Sequence, residues 1–289
     1  MKINKIFDDY YDRTIALKST ATQMYERNLI RVNKKCLDYL GISKVNSIKL
    51  QTGYKMVRFY KEIMHASNNS INKYIWYLKS VLKYQDIHTS FYDFKKLQDD
   101  TKPFKRIYHE DLKLIVQYVK DMNFSKNSLV YRTMVFLLLD SGIRITELLN
   151  VKIKNIDFIR ERILLEHTKN RKQRNAPFSQ FSKNSIQEMI KTNPNREYLF
   201  WNLIQDRPLT KNDIKLFYRR LNNWLRLDTK IHSHRFRKTF ASILRDNNAR
   251  LEAIQHLLGH AKLTTTMNYI DQSDEMIKGE YNNHNSWGV

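Results

Sequence analysis

Cysteine is nearly absent. A single residue, Cys36, among 289 rules out an intramolecular disulfide and any cysteine-rich zinc module, and its apolar neighbours predict a buried thiol. Acidic residues are in deficit as well: 29 Asp and Glu face 51 Lys and Arg, for a net charge of +22. Solubility does not require such an excess, which points to a polyanionic partner, nucleic acid ahead of a membrane surface. The N-terminal M-K-I-N-K-I-F-D-D-Y-Y-D lacks the uninterrupted apolar stretch of a signal peptide, and no later segment has the length of a membrane span. A reducing, cytoplasmic location is therefore expected. Also missing are a Walker A loop, a compact carboxylate cluster with metal-site spacing, an internal repeat and a low-complexity tract. No cofactor and no metal are expected.

What is present is basic throughout. Residues 1–100 hold 18 Lys and Arg against 10 Asp and Glu, and residues 101–289 hold 33 against 19, so the charge is not one basic tail. Two positively charged bodies fit a duplex closed on from two sides, with binding that weakens steeply with salt as counterions are released. The chain length suits two domains. The abundance of Lys, Asn, Ile and Tyr resembles the usage of an AT-rich bacterial or mobile-element genome.

Periodicity divides the chain in the same way. After Thr20 as N-cap, Met24, Tyr25, Leu29, Val32, Cys36 and Leu40 recur at helical spacing and stop at Gly41. Val57, Tyr60, Ile63 and Met64 mark a second helix, and Ser70 opens a third with Ile71, Tyr74, Ile75, Leu78 and Leu82 inside. Residues from about 13 to 85 thus read as a helical domain. Gln85 to Tyr108 loses the period, gathers charge and holds Pro103, as a linker does. The domains are placed at 1–100, with the linker running to about 107, and at 108–289.

In the second domain Leu112, Ile115, Val116 and Val119 line one helix, and Leu129–Leu139 is apolar nearly all round, as in a buried central helix. Ile156–Ile159, Arg162–His167 and Asn175–Phe178 read as a small antiparallel sheet with a basic hairpin tip at Thr168–Gln173. From Lys183 helices return, with a stripe of Ile214, Phe217, Leu221, Trp224 and Leu225 assigned to the core, then Phe236–Asp246 and Leu251–Leu258. The fold class expected is mainly α, a helical domain followed by a mostly helical mixed α/β domain with a small antiparallel sheet.

The chemistry concentrates in H-R-F-R at 234–237, L-G-H at 258–260 and T-T-T-M-N-Y at 264–269. Two imidazoles, a guanidinium and a phenol in a basic chain are the parts needed to attack a phosphodiester without a metal: a nucleophile, positive charge for the non-bridging oxygens, and a proton donor for the leaving oxygen. Upstream stand L-L-L-D-S-G-I-R-I-T-E-L-L at 137–149 and H-T-K-N-R-K-Q-R-N-A-P-F at 167–178. In this order and at these separations, from Tyr108 to Asp271, the motifs resemble those of the tyrosine recombinases of the phage-integrase and Xer type.

The resemblance implies a helical core-binding domain before a catalytic domain, and a role for each matching residue. Arg144 and Arg237 would hold the non-bridging phosphate oxygens. Tyr269 would attack to leave a 3′-phosphotyrosyl link, Lys169 would protonate the departing 5′-oxygen, and His234 would assist proton transfer at the tyrosine. His260 would bond the phosphate or orient its neighbours, while Glu147 supports the site, since a carboxylate in a helix's first turn caps it and pairs with cations. Lys172 shares the hairpin tip with Lys169, and residue order favours Lys169. His232 is set aside as a histidine that satisfies a local hydrogen bond or a surface. Lys238 and Asp271 stand where the family often carries histidines. The partners implied are double-stranded DNA recombination sites and a homotetramer assembled on them, monomeric or weakly associated when free, with residues 274–289, Tyr281 among them, docking on a neighbour. The activity implied is site-specific recombination through a Holliday junction, for integration, excision or resolution of a mobile element or replicon, on the nucleoid of a bacterial host. A type IB topoisomerase and a non-catalytic DNA-binding regulator are the competing readings.

Overall fold

The computed structural model describes residues 1–100, 105–166, 173–192, 194–227, 230–267 and 269–270. It is mainly helical, with two small antiparallel sheets, and divides into two compact units, Met1–Lys102 and Pro103–Val289. Among the described residues no helix is long and apolar enough to cross a membrane.

The first unit comprises α1 (Ile3–Tyr10), α2 (Thr20–Tyr39), α3 (Leu50–Glu62) and α4 (Asn68–Tyr84). Ser19, one residue before the expected cap, accepts from the Thr22 amide at 3.4 Å, and Ser67 does the same for Ser70 at 3.3 Å; each satisfies an orphan donor of a first turn. Gly41, at φ +66°, ends α2 as expected. Leu29, Val32, Cys36 and Leu37 face the core with Tyr60, Ile71, Leu78 and Leu82. Burial pushes the Cys36 thiol up to about 12. Met24, Tyr25 and Ile63, read as inner-face residues, are exposed. Polar residues take inner places instead. Asn33 donates to the Leu29 and Tyr74 carbonyls at 3.0 and 3.2 Å and accepts from the Tyr60 hydroxyl at 3.2 Å, while Glu26 pairs with Lys18 at 2.7 Å. Fully partnered, such groups can be buried, and a count of apolar spacing does not register them. The helix α1 also lies outside the span read as helical.

The segment expected to be a linker from Gln85 is largely part of this unit. Phe91 and Phe94 are buried, Lys79 donates to the Tyr92 and Phe94 carbonyls at 2.8 and 2.7 Å, and Asn72 brackets Leu97 with two bonds of 2.9 Å. Gly53 makes room, since a Cβ there would lie 2.3 Å from Phe94. Two aromatics anchoring an irregular strap leave no periodic signal.

The second unit is built on α6 (Ser128–Ser141), which the sequence marks as apolar on all sides and whose core positions are buried. Packed on or near it are α5 (His109–Asp121), α7 (Ile145–Leu149), α8 (Gln180–Thr192), α9 (Lys211–Leu225) and α10 (Ser233–Asp246), followed by α11 (Leu251–Leu258) and α12 (Leu263–Met267). The strands β1 (Ile156–Asp157), β2 (Arg162–Leu165) and β3 (Arg174–Pro177) pair in that order, with Ile163 opposite Ala176 and Leu165 opposite Arg174. A second pair joins β4 (Trp201–Asn202) to β5 (Arg207–Pro208). Asp140, near the end of α6, accepts from the Ser179 amide at 3.0 Å and its hydroxyl at 2.6 Å, and from Ser182, so a carboxylate sits at the N-terminus of α8. Trp224, assigned to the core, is 74% exposed, because the stripe of α9 runs past the core edge in its last turn.

Candidate active site

Three chain junctions carry the site. The first is the turn from α6 to α7. Gly142 adopts φ +55°, and a Cβ there would come within 2.4 Å of Phe240 on α10, so the turn packs directly on that helix. Arg144 then caps α7: its amide donates to Glu147 Oε2 at 2.9 Å, and its Nη1 to Oε1 at 2.8 Å. Glu147 is 2% exposed. Burial alone would raise its pKa, but the charge of Arg174 and the bonds from Arg144 and Arg174 outweigh it, and the carboxyl lies below its ordinary range.

The second junction is L-G-H. Gly259 leaves α11 at φ +63°, its amide donating to the His256 carbonyl at 3.0 Å, and the His260 amide to the Gln255 carbonyl at 3.1 Å. This is the Schellman closure that a glycine just past a helix favours. It leaves three successive carbonyls at the negative end of α11 without helical partners. Each takes an arginine: Leu257 accepts from Arg174, Leu258 from Arg237, and Gly259 from Arg144, the last at 3.2 Å.

The third is α10. Arg237 is 2% exposed; besides Leu258 it reaches the Gly142 carbonyl at 2.6 Å and His260 Nε2 at 3.0 Å. Its Nε is buried with no hydrogen-bond partner among the described residues. Burial, then Arg144 and Arg174, lower its pKa. His260 is buried and bonds Thr266 at 3.0 Å through Nδ1; burial and the same three arginines bring it down to about 4. His234, on the first turn of α10, keeps an edge open to solvent. Crowding by protein atoms and the charges of Arg237 and Arg144 lower its pKa also. Arg235, between them, faces the other way and donates to the Lys105 and Arg106 carbonyls at 2.9 and 2.6 Å, tying the incoming chain to α10. Lys238 is buried.

Tyr269 completes the cluster. Its ring centroid is 5.0 Å from that of His260 and 5.7 Å from the Arg237 guanidinium carbon, and its backbone closes onto Thr266 at 2.9 Å. Arg144, Glu147, His234, Arg237, His260 and Tyr269 are thus gathered in one unit from positions far apart in sequence. His232 lies beside the group, its ring 6.3 Å from that of His234. Lys169, Lys172, Asp271 and residues 274–289 lie outside the described residues.

Sequence reasoning missed Arg174. It is 8% exposed on β3 and donates to Glu147 Oε2 at 2.7 Å. The signal was strand alternation: Arg174 shares the inward face of β3 with Ala176, and a charge at an inward strand position needs a buried partner. Among the described residues the cluster therefore holds three guanidiniums and one carboxylate. Among the described residues no group of three or more His, Cys, Asp or Glu is placed to hold a metal ion.

The phage integrase family model matches residues 105–276. A probable integrase/recombinase of Acholeplasma phage L2 is 44% identical over 289 residues, covering 100% of both chains. The tyrosine recombinase XerC of Staphylococcus saprophyticus is 28% identical over 253 residues, 80% of this chain and 81% of that one. Among solved structures, the Tn1549 transposon integrase in complex with a circular intermediate DNA superposes with a TM-score of 0.82 at 20% identity, over 98% of this chain and 99% of that one.

Proposed function

The chain belongs to the phage integrase family, an enzyme of DNA breakage and rejoining, and from that premise we propose that it exchanges strands between duplex recombination sites through a 3′-phosphotyrosyl intermediate and a Holliday junction. One observation carries this reading: Arg237 is buried, its Nε has no partner among the described residues, and it stands among more positive charge than Glu147 neutralises. A buried unpaired donor in an electropositive cluster suits an anion, and the tetrahedral phosphate with two non-bridging oxygens fits donors held by Arg144 and Arg237.

Tyr269 Oη attacks phosphorus and bonds to it as the bond to the 5′-oxygen breaks; the tyrosine proton leaves by way of His234, and Lys169 delivers one to the 5′-oxygen. His260 accepts from Arg237 through Nε2 and so sets the plane of that guanidinium. The phosphotyrosyl link conserves the energy of the phosphodiester, so a 5′-hydroxyl from a partner strand reverses the step without ATP or a metal. The first unit would bind the duplex as a core-binding domain, and the exposed row Arg27, Arg31 and Lys35 on α2, one turn apart each, suits contact with phosphates. Four protomers on two sites, with residues 274–289 docked on a neighbour, and integration, excision or resolution of a mobile element are the assembly and task we assign. The full-length similarity to a phage integrase/recombinase supports that task.

A library of genomic fragments nicked in vitro and captured by covalent attachment maps the site. A suicide duplex built on it should trap a covalent complex with the native protein and none with Tyr269→Phe. Equal trapping by both, or none by either, would overturn the assignment.

A further inference from the structure

We propose that Arg174 is a positioning residue of the active site, holding Arg144 in register through Glu147 and fixing the turn that presents His260; the proposal rests on the recombinase reading above. The geometry is specific. Glu147 has its two oxygens divided: among the described residues Oε1 accepts from the Arg144 side chain alone, and Oε2 accepts from the Arg144 amide at 2.9 Å and from Arg174 at 2.7 Å. Without Arg174 that buried carboxylate keeps one cation, and a rotation about its last bond becomes possible that would carry Arg144 with it.

The second arm of Arg174 reaches the carbonyl of Leu257, next to the carbonyls that hold Arg237 and Arg144. One guanidinium therefore joins the α7 cap to the C-terminus of α11, the two junctions on which the other two guanidiniums depend. Gly259 is shaped around it: a Cβ there would stand 2.7 Å from Arg174 Cδ and 3.1 Å from its Nε, with Arg144 Nη1 at 3.8 Å. The glycine of L-G-H is thus required twice, for its backbone conformation and for the space Arg174 fills. Burying a third arginine is costly, and the two terminal nitrogens of Arg174 go to the groups that align the other two, while its Nε has no hydrogen-bond partner among the described residues.

The positioning role predicts a titration that a simple packing role does not. With Arg174 removed, Glu147 loses the largest influence holding it ionised, so its protonation, and the loss of Arg144 alignment that follows, should move toward neutral pH. The experiment measures single-turnover cleavage of the suicide duplex against pH for the native protein, Arg174→Lys, Arg174→Met and Glu147→Gln, with DNA affinity and thermal midpoint for each. Expected for Arg174→Met is a fall in cleavage rate of about 100-fold, the scale of a misplaced catalytic group, an acid limb displaced to higher pH, and affinity for the duplex within about threefold. Arg174→Lys, which keeps the charge near Glu147 but not the fork, should restore the position of the acid limb and only part of the rate. In Glu147→Gln the acid limb contributed by that carboxyl should be missing. If Arg174→Met does not fold, Arg174→Lys and Glu147→Gln carry the test through the same pH profiles. Native rate and an unmoved acid limb in the Arg174 variants, or a rate loss that only tracks the folded fraction, would overturn the proposal while leaving the recombinase reading intact. Absence of covalent complex with the native protein would overturn both.

Discussion

Arg237 Nη2 stands 3.0 Å from His260 Nε2. A guanidinium can only donate, so Nε2 must accept, and the imidazole is the neutral tautomer with its proton on Nδ1, directed at Thr266. The histidine of L-G-H thereby acts as a fixed strut for an arginine. Three consequences concern His260 and its neighbours, and two others test the wider frame.

The first is pH dependence. His260 is lowered from 6.5 to about 4, by burial first and then by Arg237, Arg144 and Arg174. Between those values the unfolded chain takes up a proton that the folded chain refuses. The stability tied to neutral His260 is therefore complete above pH 6.5 and is lost as the pH falls toward 4, an effect of up to about 3 kcal/mol. Urea unfolding of the native protein and His260→Asn at a series of pH values should show a flatter slope in the variant across that window. Parallel slopes would rule the assignment out.

Arg237→Lys should uncouple fold from chemistry only in part. A lysine cannot bridge the Gly142 and Leu258 carbonyls and also reach His260, so the α6–α7 and α11–α12 turns loosen, and the thermal midpoint should fall. Covalent trapping should drop by about 10²- to 10³-fold. Trapping within a few-fold of the native rate would count against a role on the phosphate.

Gly259→Ala and Gly41→Ala share a positive φ, +63° and +66°, but differ in surroundings. At Gly41 no atom of the described residues lies within 4 Å of the added Cβ, and alanine should cost only the left-handed backbone, about 1 kcal/mol. At Gly259 the Cβ meets Arg174 as well, so the loss in urea unfolding should be clearly larger and accompanied by loss of cleavage. Equal costs would show that the space at Gly259 is not used.

Asp140→Ala removes the acceptor shared by Ser179 and Ser182 at the start of α8. The expected cost is about 1–2 kcal/mol, the scale of a lost helix cap, read from the urea midpoint. An unchanged midpoint would show that water replaces the carboxylate freely.

The choice of hairpin lysine is open to a chemical test. Lys169→Ala should cleave an ordinary phosphodiester about 10²- to 10⁴-fold more slowly yet cleave a 5′-bridging phosphorothiolate at near the native rate, because a thiolate departs without a proton. Lys172→Ala should show no such selective rescue. The reverse pattern would reassign the role.

Much of this was legible beforehand because it rests on local rules. Helices α5, α6, α9 and α11 follow from apolar spacing, the end of α2 from Gly41, the antiparallel pairing of β2 and β3 from two short non-helical runs around a polar turn. The order Arg144, His234, Arg237, His260, Tyr269 named a reaction class because each chemical type has few substitutes at a phosphate. The errors share a cause. Met24, Tyr25 and Trp224 are apolar yet exposed, Phe91 and Phe94 are buried in a segment without period, and Glu26 and Asn33 are polar yet inside. Periodicity reports which face is apolar on average; where a core ends, and which polar groups find partners, depends on the neighbouring elements.

The sequence alone determined the class of fold, the positive charge and the set of reacting groups, since composition, helical period and residue chemistry are properties of the chain itself. Only the tertiary structure decided how the arginines are held. Three consecutive carbonyls at the end of α11 receive guanidiniums from β3, α7 and α10, a relation between residues up to 115 positions apart. Hydrogen bonds of that reach depend on where a Schellman turn places its free acceptors in space, and no spacing along the chain encodes that. For the same reason Arg174 stayed hidden in a hairpin read for its lysines.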